Sequence, residues 1–81
     1  MTREELAAAL EPLARKYFAD SELTISDSLS AGNVEGWSSL SFMQFLTAVE
    51  EQYSFKFKMM ELLTLRNMGA VIDATLKHCN Q

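Results

Sequence analysis

An all-α fold, a small bundle of three main helices with a short fourth before the last, is predicted by three observations. Apolar residues recur at helical spacing in three separate segments. Each of those segments begins at a residue suited to capping a helix. The one strand-like alternation, Ser54-Phe55-Lys56-Phe57, has no second strand to pair with and reads as a short strand-like linker.

The first helix runs from Thr2 to Phe18, where Leu6, Leu10, Leu13 and Tyr17 form an apolar stripe. Thr2 with Glu5 three residues on makes a capping box. Pro12 removes one backbone donor inside this helix, and because the stripe stays in register past it, a bend is expected rather than an end. From Ala19 to Ser38 the period is lost among turn formers such as Asp20, Ser26, Asp27, Gly32, Asn33 and Gly36. A loop this long is unusual in a compact fold without a function. Leu23, Ile25, Leu29 and Val34 are expected to pin it to the core.

The second helix spans about Ser39 to Tyr53, with Phe42, Phe45, Leu46, Val49 and Tyr53 on one side. Gln44, Thr47, Glu51 and Ser41 lie on the other. Met59 to Leu65 supplies one or two helical turns. The last helix opens at Asn67 and turns Met68, Val71, Ile72 and Leu76 inward.

With 81 residues, 48% of them hydrophobic, the chain reads as a single compact domain over 1–81. The formal net charge of -4 argues against nucleic acid as a partner, because phosphate binding needs clustered Lys and Arg. No apolar run is long enough to span a bilayer. A charged start, Met1-Thr2-Arg3-Glu4-Glu5, and a lone Cys79 together predict a cytoplasmic protein. Neither a glycine-rich phosphate loop nor metal-ligand spacing occurs, and no nucleophile is paired with a base, so the chain is not expected to be an enzyme. His78 beside Cys79 has no third group to orient it and sits in a segment expected to fray.

Two serine triplets stand within "ISDSLSAGNVEGWSSLSFMQFL", Asp27-Ser28-Leu29 and Ser38-Ser39-Leu40. Ser28 lies among breakers. Ser38 is an N-cap type directly before the strongest helical period, which places Ser39 at about the first helical position. There a phosphodiester would meet unpaired backbone N–H groups and partial positive charge. Serines also begin many helices as plain caps, so position alone leaves both readings open.

From Gly36, "GWSSLSFMQFLTAVEEQYSFKF" resembles the acyl carrier and peptidyl carrier proteins, in particular a compact stand-alone subclass with the motif Gly-Trp-Asp-Ser-Leu. Gly36, Trp37, Ser39 and Leu40 match that motif, and Glu50, Glu51 and Tyr53 fall at the matching distances without a gap. "ELLTLRNMGAVID" and "LTISDSLSAGNVEGW" are similar to the family's segments before the last helix and before the motif. The resemblance implies a 4'-phosphopantetheine arm, derived from coenzyme A, on Ser39, with Asp27-Ser28-Leu29 a decoy. It implies a carrier that holds acyl or aminoacyl groups as thioesters. A phosphopantetheinyl transferase, a loading enzyme and a downstream synthase would be its partners, and the carrier itself would be a monomer. Ser38, Leu40, Ser41, Gln44 and Glu51 would be the docking contacts.

Two departures stand out. Ser38 replaces the family's aspartate, so the cap is kept and the charge is lost. Ser41 and Gln44 are neutral where many carriers are acidic, and Met59 and Met60 stand where acids are also common, which points to a dedicated biosynthetic pathway. The loss of the aspartate also favours a second reading, an interaction module that has lost its arm. Trp37 reads either as a contact surface or as packing between loop and helix. The five methionines read either as core filler or as a pliable interior that shelters an acyl chain. Glu50-Glu51 reads as a site for a basic partner or as solvated surface.

Overall fold

The computed structural model describes residues 1–80 and is all-helical among them. Helix α1 spans Arg3–Tyr17, α2 Ser39–Tyr53, α3 Met59–Leu62 and α4 Met68–Cys79, with the long loop between α1 and α2. None of these helices is long and apolar enough to cross a membrane. No strand forms among the described residues, and the alternation at 54–57 has a different origin. Phe55 and Phe57 pack edge to face at 4.8 Å, and the Phe57 amide donates to the Glu50 carboxylate at 2.7 Å. A side chain thus takes the place of a neighbouring strand. Glu50 is therefore neither solvated surface nor a free handle for a basic partner.

The capping box of α1 forms as expected. The Glu5 amide donates to Thr2 Oγ1 at 3.1 Å, and the Thr2 amide donates to the Glu5 carboxylate at 2.8 Å. The helix continues through Pro12, which is exposed, as is Ala8, whose carbonyl loses the bond that proline cannot make. Water can satisfy that carbonyl. The buried face is Leu6, Leu10 and Ala14, continued by Phe18, rather than the Leu13–Tyr17 side, which is half-buried. Spacings of four carry this face, and small Ala14 leaves room for the aromatic residues beyond it.

These join Phe45, Leu46 and Val49 of α2 and Met68, Val71 and Ile72 of α4 in one core. Truncating a fully buried leucine, isoleucine, methionine or phenylalanine among them to alanine would cost about 2–5 kcal/mol. The loop is clamped from both sides. Leu23 and Val34 are buried and Ile25 and Leu29 half-buried, as their spacing predicts. From α1, Glu11 accepts the Ile25 amide at 2.9 Å, and Arg15 Nε donates to the Leu23 carbonyl at 2.8 Å. The carbonyls of Leu29 and Asp27 then take the amides of Met68 and Gly69 at 2.8 and 3.1 Å, while Asn67 caps Ala70. The loop therefore serves the start of α4 as well as that of α2.

Two expectations are corrected. Four of the five methionines, Met1, Met43, Met59 and Met60, are exposed, and only Met68 fills the core, so as a set they are neither core filler nor a pliable interior. His78 does not fray: its ring stacks on Phe55 at 4.5 Å and meets the Glu61 carboxylate at 2.9 Å. Asn80 adds bonds to the Met1 amino group and carbonyl, fastening the end of α4 to the start of the chain.

Candidate functional site

The site is built from Gly36 outward. A Cβ added at Gly36 would lie 1.9 Å from the carbonyl oxygen of Phe18, so only glycine lets the loop cross the end of α1 at this height. That crossing sets Trp37, whose ring stacks on Phe18 at 4.8 Å and 5° and on Phe42 at 4.7 Å and 24°. Trp37 is 8% exposed, which decides between its two readings: it packs the loop against both helices. With the chain fixed on both sides of the loop's end, Ser38 enters α2 at a defined angle.

Ser38 is the N-cap, in extended backbone, and its Oγ accepts the Ser41 amide at 3.1 Å. Ser41 Oγ returns the contact by accepting the Ser38 amide at 2.8 Å, and it donates to the Gly36 carbonyl at 2.7 Å. Both hydroxyls are thus committed to shaping the turn. Ser39, the first residue of α2, is exposed, and its hydroxyl has no hydrogen-bond partner among the described residues. Its amide and that of Leu40 also stand without protein acceptors there, as the first donors of a helix must.

The electrostatics agree with the geometry. The first turn of α2 holds no acidic residue, so no carboxylate within that turn offsets the partial positive charge at its N-terminus. A serine-linked phosphodiester would meet an accessible oxygen, free amides and no repelling carboxylate in that turn. The residues present fit the group that the sequence implies. Ser28 stands elsewhere, in a turn, with its hydroxyl 3.3 Å from that of Ser26. Its neighbour Asp27 is tied to Arg3 at 2.8 Å, so that triplet fastens α1 to the loop.

Of the other residues singled out by sequence, Leu40, Gln44 and Glu51 are exposed along one side of α2, together with Thr47. Ser38 is exposed and Ser41 half-buried beneath it. Sequence reading missed Met43, 52% exposed beside this stripe, and the Ser41 side of the capping box. The serine at N3 was a signal, although the residue usual there is Glu or Gln. Arg3, which reaches both Asp27 and Asp73, was also missed, and nothing in local sequence pairs residues so far apart.

The family model for the phosphopantetheine attachment site matches residues 18–75, which include the whole of the long loop, α2 and α3. The chain belongs to the acyl carrier protein family. Its fold is similar to the solution NMR structure of a holo acyl carrier protein from Geobacter metallireducens, at 33% identity and a TM-score of 0.82. That match covers 89% of this chain and 83% of the other. Among curated proteins none matches. The long loop joins the end of α1 to the N-terminus of α2 and on the way supplies the carbonyls that take the first amides of α4.

Proposed function

We propose that this carrier protein bears its 4'-phosphopantetheine arm on Ser39 Oγ and holds acyl or aminoacyl cargo for a dedicated biosynthetic pathway. One observation carries the reading: of the three hydroxyls at the start of α2, those of Ser38 and Ser41 are bonded to the turn, and that of Ser39 is exposed and without a partner among the described residues. When bound, the arm supplies a terminal thiol on which a carbonyl cargo stays reactive as a thioester. The chain's own residues do the rest. Once a transferase removes its proton, Ser39 Oγ would attack the pantetheine-bearing phosphorus of coenzyme A, and the pyrophosphate P–O bond would break to release adenosine 3',5'-bisphosphate. The amides of the first turn of α2 receive the phosphodiester. The capping box and the Trp37 stack hold that turn rigid, so the arm leaves from a fixed point. Tethering then raises the effective concentration of cargo at a docked enzyme.

Ser38, Leu40, Ser41, Gln44 and Glu51 are proposed as the docking contacts for the phosphopantetheinyl transferase, the loading enzyme and the downstream synthase. Leu40, 69% exposed next to the attachment point, is the apolar anchor among them. The face is nearly uncharged, so docking rests on apolar and polar contacts more than on charge steering. The protein acts as a monomer in the cytoplasm.

The replacement of the motif aspartate by Ser38 favours a second reading, a carrier-like interaction module without an arm. Treating the purified protein with coenzyme A and a broad-specificity transferase separates the two by intact mass. Gain of one phosphopantetheine, lost in Ser39→Ala and kept in Ser28→Ala, is the expected result. No gain under any condition would favour the module.

A further inference from the structure

We infer that the segment from Lys56 to Arg66, centred on α3, is a docking surface for a protein partner that presents an apolar cleft edged with carboxylates. This deepens the carrier reading by giving the chemistry of one partner surface, and it does not depend on where the arm is attached.

The first observation is apolar exposure. Met59, Met60 and Leu63 are 78%, 75% and 66% exposed. At about 100° per residue they share one side of the turn, while Glu61 and Leu62 face the body of the protein. No residue of α3 is buried, so this element contributes little to the core and displays three large side chains. Methionines suit such a surface because they adapt to differently shaped partners.

The second observation is charge, and its sign is opposite to that of the whole chain. Lys56, Lys58 and Arg66 are all exposed, and none takes part in a salt bridge among the described residues. The only carboxylate between Glu51 and Asp73 is Glu61. It points inward, accepting from His78 Nε2 at 2.9 Å and from the Lys58 amide at 2.8 Å. A protein of net charge -4 therefore carries a positive, methionine-bearing knob. The knob is also preformed: Thr64 Oγ1 donates to the Glu61 carbonyl at 2.7 Å, and the Leu62 amide donates to the Lys58 carbonyl at 3.1 Å. A rigid patch loses less entropy on docking.

Charge selects the occupant. An acidic protein gains nothing from nucleic acid. Lipid surfaces are held by clusters of about four to eight cations or by long amphipathic helices, and three cations around a four-residue helix supply neither. A carboxylate-edged apolar cleft on a protein complements both features.

The test uses the full-length chain, labelled for amide NMR, and two synthetic amphipathic peptides of equal length, one of Leu and Glu, the other of Leu and Lys. The Leu/Glu peptide should shift amides from Lys56 to Arg66 and bind about tenfold more tightly than the Leu/Lys peptide. The triple variant K56E/K58E/R66E should reverse that preference, and M59S/M60S/L63S should abolish binding of both. All six side chains are exposed, so the variants keep the fold, and the same spectra verify it. Equal binding of the two peptides, shifts confined to α2, or no binding would overturn the inference. Binding to phosphatidylglycerol vesicles in place of either peptide would overturn it as well. Ser39→Ala should leave peptide binding unchanged. A chain that takes the arm and ignores the peptide thus sinks this inference alone, and the converse result sinks the Ser39 reading alone.

Discussion

His78 Nε2 lies 2.9 and 3.0 Å from the two carboxylate oxygens of Glu61, which ties the end of α4 to a helix of only four residues. A carboxylate only accepts, so the ring nitrogen carries the proton. The Lys58 amide, and after it the His78 ring, hold the Glu61 carboxyl below its ordinary value of 4.5. A depressed pKa means that the charged form is favoured by folding. This contribution is complete above the ordinary carboxylate range and is lost as the pH falls through the lower folded value. Glu61→Gln should therefore be less stable than the parent at neutral pH, with the gap closing as the pH falls below the ordinary carboxylate range. Thermal melts of both proteins across that range check it. A gap that is absent, or constant with pH, would show that the contact contributes no linked stability.

Gly36→Ala sets a methyl against a backbone oxygen, which cannot rotate away as a side chain could. Displacing the loop from Phe18 should cost about 1–3 kcal/mol. It should also slow arm installation, because Trp37 and Ser38 move with the loop. Urea unfolding and a timed transferase assay report the two effects. An unchanged midpoint would mean that the loop crosses α1 less closely than described.

How much of this could be read from residues alone follows from the range of the forces involved. The bounds of α2, the capping box at Thr2 and the cap at Asn67 are local and were legible from spacing and cap chemistry. The place of Ser39 at the first position of α2 was legible for the same reason, since a helix start is set by a few neighbouring residues, whereas its choice as attachment serine came from the family resemblance. The inward tilt of α1 toward Ala14 and Phe18 was not, because Leu13 and Tyr17 fit a stripe equally well until Trp37 and Phe45 fill the space beside Phe18. Methionine burial was misread because hydrophobicity says nothing about whether a neighbour exists. The His78–Glu61 contact and the Arg3 pairs join residues distant in sequence, and only the packed chain brings them together.

Thr75 is fully buried on α4, and its hydroxyl has no hydrogen-bond partner among the described residues. Thr75→Val keeps the shape and removes the unsatisfied group, so it should stabilise the protein by about 1 kcal/mol. Calorimetry gives the answer. A destabilised variant would mean that the oxygen has a partner in solution.

Ser38→Asp tests the departure from the family motif. Aspartate caps as well as serine, and its charge opposes the positive end of α2, which adds about 0.3–1 kcal/mol. If the missing carboxylate limits recognition, modification by a broad-specificity transferase should also become faster than in the parent. Equal rates would assign recognition to the neutral contacts at Leu40 and Gln44.

The proposed carrier function turns on the oxygen of a single serine, and peptide-level mass spectrometry of the protein purified from its own host tests it most directly. The arm should be found on the fragment spanning the start of α2, with fragmentation placing it on Ser39. Protein that is modified on Ser28 or another hydroxyl, or that is wholly unmodified in cells with an active transferase, would contradict it.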